Sequence, residues 1–282
     1  MSRFENVAVF KDTEEACKSN PRLMESIRKS CAGQIFVREK DSVPDGSTVA
    51  CFDTDARIVV SKKRTFEAAQ AYVGTGDRVC VLNFASSSNP GGGVASGAGA
   101  QEECLCRVST LYFTLDTDEN WKRFYSPHRK ARDPLHNDDI LYSKDVTVFK
   151  SDTMAPKRLP ETEWFDVDVL TCAAPNLREH PSNSMNSGDG ARRIQLAPGE
   201  LRRLHEKRLS RILDVAAANG EEAIVLGAFG CGAFRNDPRV VAAAAAVVMP
   251  HYRMRFKVIE FAIYCRPGDT QNYDAFKTAF GL

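Results

Sequence analysis

One stretch constrains this 282-residue chain more than any other: residues 79–113, VCVLNFASSSNPGGGVASGAGAQEECLCRVSTLYF. Val79–Leu82 is an apolar run leading into Asn83 and Phe84, the pattern of a buried strand. Pro90 and three successive glycines follow, Gly91, Gly92 and Gly93. After a gap of seven residues stand Gln101, Glu102 and Glu103. Leu105, Val108, Leu111 and Tyr112 then recur at helical spacing. Glycine backbone takes φ > 0 without penalty and lets a ligand come close. Successive N–H groups in such a loop form a concave anion site. Carboxylates beside that site repel an anion. The arrangement therefore suits a ligand whose phosphates meet the glycines while a sugar hydroxyl or glycosidic oxygen meets the carboxylates. Taken alone, Glu102 and Glu103 have a plainer explanation, because the first turn of a helix favours acidic side chains. The tripled glycine at a strand's end shifts the balance toward function.

The rest of the chain alternates. Residues 35–39, 56–61, 78–84, 145–150, 165–172, 223–227 and 257–264 have strand character. Residues 64–73, 200–219, 238–249 and 269–280 have helical character. This pattern predicts an α/β fold, a sheet with helices on both faces, whose ligands bind outside the carboxyl ends of its strands. Residues 1–34 are expected to form an N-terminal helical extension, with Asp12 or Thr13 capping a helix that runs to Ser30. Residues 35–282 would form the main body. Residues 115–145 are polar and expected to be irregular, with a solvated basic run at His128, Arg129, Lys130 and Arg132. Residues 179–199, which contain His180, are expected to be a loop. Asn176, after the 165–172 strand, is either a polar contact or a turn former. A second glycine loop, Gly227–Phe234, follows the 223–227 strand, and two such loops can grip a diphosphate from both sides.

Gly91-Gly92-Gly93, the seven-residue gap and Gln101-Glu102-Glu103 resemble the signature of poly(ADP-ribose) glycohydrolases. The flanking NFASSSNPGGG and the later GAFGCGAFRNDP (227–238) resemble their compact microbial type, from residue 35 or so to the end. The resemblance implies a macrodomain with a mixed central sheet sandwiched by helices. It implies hydrolysis of the O-glycosidic ribose–ribose bond of poly(ADP-ribose), releasing ADP-ribose from the chain end. By position Glu103 takes the catalytic acid/base role and Glu102 holds ribose hydroxyls. Asn89 and Gln101 join the substrate contacts. Gly91, Gly92 and Gly93 face Gly230, Cys231, Gly232, Ala233 and Phe234 across the diphosphate, with Phe234 against the distal ribose or adenine region. Two other classes share parts of the pattern. A non-catalytic ADP-ribose reader needs the loops but not the two glutamates. A hydrolase of mono-ADP-ribose on protein or nucleic-acid base would need both.

Composition narrows the partners. A net charge of +1 supplies no field for a membrane or nucleic acid. The nine cysteines form no CxxC pair, so reduced structural thiols are expected, with neither a metal site nor a cofactor. Residues 1–20 carry seven charged side chains and no apolar core, unlike a signal peptide. The expectation is a monomeric, soluble, cytoplasmic protein that meets ADP-ribose or ADP-ribosylated macromolecules.

Overall fold

The computed structural model describes residues 1–183 and 188–282. Its strands are β1 (Ile35–Val37), β2 (Arg57–Ser61), β3 (Val79–Phe84), β4 (Ile140–Val148), β5 (Phe165–Cys172), β6 (Ala223–Leu226) and β7 (Val258–Ala262). Its helices are α1 (Arg3–Ser19), α2 (Pro21–Ala32), α3 (Thr65–Val73), α4 (Gln101–Val108), α5 (Leu111–Leu115), α6 (Asp118–Asn120), α7 (Ser126–Ala131), α8 (Pro198–Ala218), α9 (Pro238–Val248) and α10 (Gln271–Phe280). The strands form one mixed sheet in the order β1-β4-β5-β3-β6-β7-β2. The pairs β1–β4 and β4–β5 are antiparallel. The remaining four pairs are parallel.

β3 lies at the centre of the sheet and is buried on both faces. Val79 and Val81 pack in a core with Phe66 of α3, Leu105 of α4 and Leu111 of α5. Cys80 and Leu82 pack in a second core with Ile212 of α8, Val241 of α9 and Phe276 of α10. Successive side chains point to opposite faces, so a strand covered on both needs apolar residues at every position. This explains the unbroken VCVL run. Because β5, β3, β6 and β7 run parallel, the segments that follow them emerge at one edge, where ligands of such sheets bind.

The N-terminal region departs from expectation. It forms two helices rather than one, because Pro21 cannot continue α1 and Asn20 caps α2 by accepting from the Arg22 and Leu23 N–H groups. Ser2, not Asp12 or Thr13, caps α1, through a capping box with Glu5. Asp12 and Thr13 sit mid-helix and fasten α1 to the body. Asp12 pairs with Lys150 and Arg158, each at 2.7 Å. The buried Thr13 hydroxyl lies 2.5 Å from the Arg107 carbonyl oxygen and accepts from Lys150 Nζ at 2.6 Å. Asn6 Nδ2 donates to the Gly97 carbonyl oxygen at 3.0 Å. α1 thus braces α4 and the loop before it.

Residues 115–145 also differ from the irregular segment expected. They contain α6, a π-helical turn at Trp121–Tyr125, α7 and the start of β4. Phe124 and Tyr125 are fully buried. His128 is buried too, its ring nitrogens 2.7 Å from the Phe124 carbonyl oxygen and 2.8 Å from Asn137 Oδ1. β4 begins at Ile140, and its pairing with β5 shifts register between Ser143 and Val146, where Asp145 takes φ 52°. Such a bulge breaks the two-residue alternation, so only the second half of the strand has a regular pattern.

Thr13→Val removes the hydroxyl that Lys150 and the Arg107 carbonyl share. Leaving buried polar groups unpaired costs about 1–3 kcal/mol. Urea unfolding should show that loss as a lower midpoint at unchanged slope, and an unaltered midpoint would mean that α1 docks without this bond.

Candidate active site

Glu102 and Glu103 occupy the first turn of α4, only 3% and 7% exposed. Burying two carboxylates requires donors, and the end of β3 supplies them. The Ser86 N–H donates to Glu102 Oε2 at 2.7 Å, and Asn83 Nδ2 donates to Glu102 Oε1 at 3.3 Å. Asn83 is itself held by Thr171 Oγ1 of β5 at 3.2 Å. The Gly93 N–H donates to Glu103 Oε1 at 2.9 Å. Glu103 Oε2 is buried and has no hydrogen-bond partner among the described residues. A buried, unpaired carboxylate oxygen is costly, and this one belongs to a residue that lines a cleft.

Gly92 shows why glycine is required here. Its φ is +57°, and a Cβ would lie 2.6 Å from Glu103 Oε1 and 3.2 Å from Glu102 Oε2. Both carboxyl groups therefore converge on the space that a side chain would fill. Burial, and then the neighbouring Glu103, push the Glu102 carboxyl well above the usual carboxylate range. Gln101 pins the start of α4 to β3. Its Oε1 accepts from the Phe84 N–H at 2.9 Å, and its Nε2 donates to the Leu82 carbonyl oxygen at 2.8 Å.

The cleft holds about 520 Å³. Gly92, Gln101, Glu102 and Glu103 line one side, and Gly230, Gly232, Ala233 and Phe234 line the other. A Cβ on Gly230 would lie 2.7 Å from Asn236 Nδ2 and 2.8 Å from Ala174 Cβ, whereas one on Gly232 would meet nothing within 4 Å. The second loop is fixed by Asn236, whose Nδ2 donates to the Pro175 and Gly230 carbonyl oxygens at 2.7 and 3.0 Å. Asn236 Oδ1 lies 2.8 Å from His205 Nε2, and burial lowers that imidazole to about 4, so it is neutral at pH 7. The Phe234 ring is half-buried, with the Arg178 guanidinium 5.5 Å from its centroid.

The structure thus gathers eight of the twelve site residues expected from sequence into the cleft lining. Four lie elsewhere. Asn89 Oδ1 accepts from Arg129. A Cβ on Gly91 would meet Tyr112 and the Cys106 sulfur in the interior. Gly93 acts through its N–H on Glu103, and the Cys231 thiol donates to the Phe229 carbonyl oxygen at 3.8 Å. Asn176 is a clasp, its Nδ2 donating to Asp189 Oδ2 at 2.6 Å and the Pro181 carbonyl oxygen at 3.1 Å. His180 is exposed. The 179–199 loop includes residues 184–187, which lie outside the described residues. Sequence reasoning missed Asn83, Ser86 and Arg178. The first two were within the glycine stretch, but nothing in their spacing shows that they serve Glu102. Among the described residues, no three His, Cys, Asp or Glu side chains gather as metal ligands, and no helix is long and apolar enough to cross a membrane.

The raised Glu102 carboxyl has a measurable consequence. A group whose folded pKa exceeds its unfolded value favours the fold fully below the unfolded value of 4.5. That contribution is lost as pH rises through the folded value. Glu102→Gln, which cannot ionise, should therefore unfold at higher urea than the wild type at pH 8, with the advantage vanishing near pH 4. An advantage independent of pH would show that Glu102 is not the strained carboxyl.

Residues 5–151 match the family described as microbial-type PARG, catalytic domain. Among solved structures, poly(ADP-ribose) glycohydrolase from Thermomonospora curvata is similar at 31% identity, covering 98% of this chain and 99% of that one, with a TM-score of 0.81. The same enzyme bound to the inhibitor ADP-HPD aligns over 97% of this chain with a TM-score of 0.80. Poly(ADP-ribose) glycohydrolase from Deinococcus radiodurans in complex with ADP-ribose shares 28% identity over 90% of this chain and 96% of that one, with a TM-score of 0.76. Among curated proteins none matches.

Proposed function

The chain belongs to the microbial-type poly(ADP-ribose) glycohydrolase family, and from that premise we propose how its cleft carries out the reaction. It is a glycosidase that hydrolyses the ribose–ribose bond of poly(ADP-ribose) and releases ADP-ribose. The observation that carries the assignment of roles is the asymmetry of the glutamate pair. Glu102 has both oxygens engaged, by Ser86 and Asn83. Glu103 has one oxygen fixed by Gly93 and the other unpartnered among the described residues. A group that must both give and take a proton needs a fixed orientation and a free oxygen.

Glu103 is accordingly the acid/base. Burial and the neighbouring Glu103 hold the Glu102 carboxyl toward its protonated form. As the acid, Glu103 gives a proton through Oε2 to the leaving ribose oxygen as positive charge develops at the anomeric carbon. The glycosidic bond breaks, and Glu103, now ionised, takes a proton from the attacking water. Glu102 holds the ribose hydroxyls. Gly232, where a Cβ would meet nothing within 4 Å, leaves room for the diphosphate between the two loops. Phe234, backed by Arg178, packs against the distal ribose or adenine region.

Glu103→Gln should lower kcat by about 10²–10⁴ while ADP-ribose binding, measured by calorimetry, stays nearly intact. Near-wild-type turnover in that variant would remove Glu103 from the mechanism.

The position of Phe234 also favours release from the chain end, since its ring leaves little room for polymer to continue past the bound unit. Time courses on long polymer should show free ADP-ribose from the earliest points. Early accumulation of mid-length oligomers, with ADP-ribose appearing late, would contradict this.

A further inference from the structure

Beyond Gln101 the cleft lining takes in residues of α1, the 98–100 loop, α4 and residues 152–156, among them Asn6, Cys104, Leu105 and Met154. This part of the lining is called the side lobe below. Arg107 lines this lobe, one helical turn along α4 from Glu103 and only 3% exposed. Its guanidinium donates to the Ala98 carbonyl oxygen at 2.6 Å and to the Cys104 sulfur at 3.3 Å. Among the described residues, no carboxylate forms an ion pair with it. Arg64, also in the lining, has one carboxylate partner among the described residues, Asp152 at 3.7 Å, and its guanidinium also contacts the Met154 sulfur at 2.8 Å and lies 4.2 Å from the Tyr264 ring centroid.

A buried cation without a counter-ion carries a desolvation penalty of about several kcal/mol, and one carbonyl and one thiol offset only part of it. The missing component is an anion. A guanidinium recognises phosphate through paired N–H donors, and the apolar walls at Leu105 and Met154 suit a flat base beside it.

Hydrolysis of poly(ADP-ribose) produces two pieces. The released unit lies between the glycine loops, with its anomeric carbon at Glu103. The leaving oxygen belongs to the next unit, which carries its own diphosphate and adenine. That unit must lie where Glu103 can reach the shared oxygen, outside the space the loops enclose. The lobe adjoins the first turn of α4 and meets both conditions. We propose that it is the subsite for the leaving unit of the polymer, with Arg107, assisted by Arg64, facing that unit's diphosphate. The inference rests on the glycohydrolase assignment and adds to it a second substrate-binding region.

The test separates the two regions. Arg107→Gln removes the charge, but Arg107 also holds the Ala98 carbonyl. It is therefore paired with Cys104→Trp, which fills the lobe and keeps the positive charge and its bond to the Ala98 carbonyl, losing only the contact to the Cys104 sulfur; if Arg107→Gln fails to fold, Cys104→Trp alone decides. Each variant is assayed for the KM of polymer hydrolysis and for the Kd of free ADP-ribose. The expected result is a KM raised at least about tenfold, the effect of roughly 1.4 kcal/mol, with the Kd changed less than about twofold. An unchanged KM in Cys104→Trp would overturn the proposal. So would an equal loss of ADP-ribose affinity, which would place the lobe in the released unit's own site. A wild-type protein that binds ADP-ribose but leaves polymer intact would instead overturn the glycohydrolase premise, and the subsite with it.

Discussion

Two carboxyl groups buried side by side repel each other, and much of the fold is arranged around making their burial tolerable. The Ser86 N–H, the Gly93 N–H and the Asn83 amide are the donors. All three lie on β3 or on the loop that follows it. Gly92 contributes by having no side chain, since a Cβ there would occupy the space of both carboxyl groups. β3 can hold these donors in place because it is the central strand, packed on both faces and paired with β5 and β6. The pair leaves Glu102 strained toward its protonated form and Glu103 with one buried oxygen that no described residue engages. A strained carboxyl beside an unengaged oxygen is what an acid/base site needs.

The surrounding contacts show how that arrangement is kept from relaxing. Gln101 ties α4 to the last residues of β3, so the glutamates cannot swing away from the glycine loop. α1 braces α4 from outside through Thr13 and holds the 97–100 segment through Asn6. The second loop is fixed separately, by Asn236 and the neutral His205. Each wall of the cleft thus has its own support.

Different parts of the molecule were legible in the sequence to different degrees, for physical reasons. The strand–glycine–glutamate stretch could be read because its parts are close in sequence and each is the residue type its local geometry demands. The two-layer cover of the sheet followed from the alternation of strand and helix patterns. The 115–145 segment could not be read, because its buried groups, Phe124, Tyr125 and His128, lie on a π-helical turn and a short helix without regular period. The first half of β4 was hidden by the bulge at Asp145. The break at Pro21 was visible in principle, but its consequence, two helices that clasp the body, depends on Lys150 and Arg107, far away in the chain. Arg107 and Arg178 belong to the same class. Only tertiary placement shows that one is a buried cation and the other a support for Phe234.

The most direct test of the central claim is a crystal structure of the wild-type protein with free ADP-ribose bound. The anomeric hydroxyl of the product occupies the position of the leaving or attacking oxygen. The account predicts that this oxygen lies within hydrogen-bond reach of Glu103 Oε2, about 2.6–3.2 Å, with the ribose hydroxyls on Glu102 and the diphosphate between the two glycine loops. An anomeric hydroxyl on Glu102 instead, or one too far from Glu103 Oε2 for even a bridging water, would contradict it.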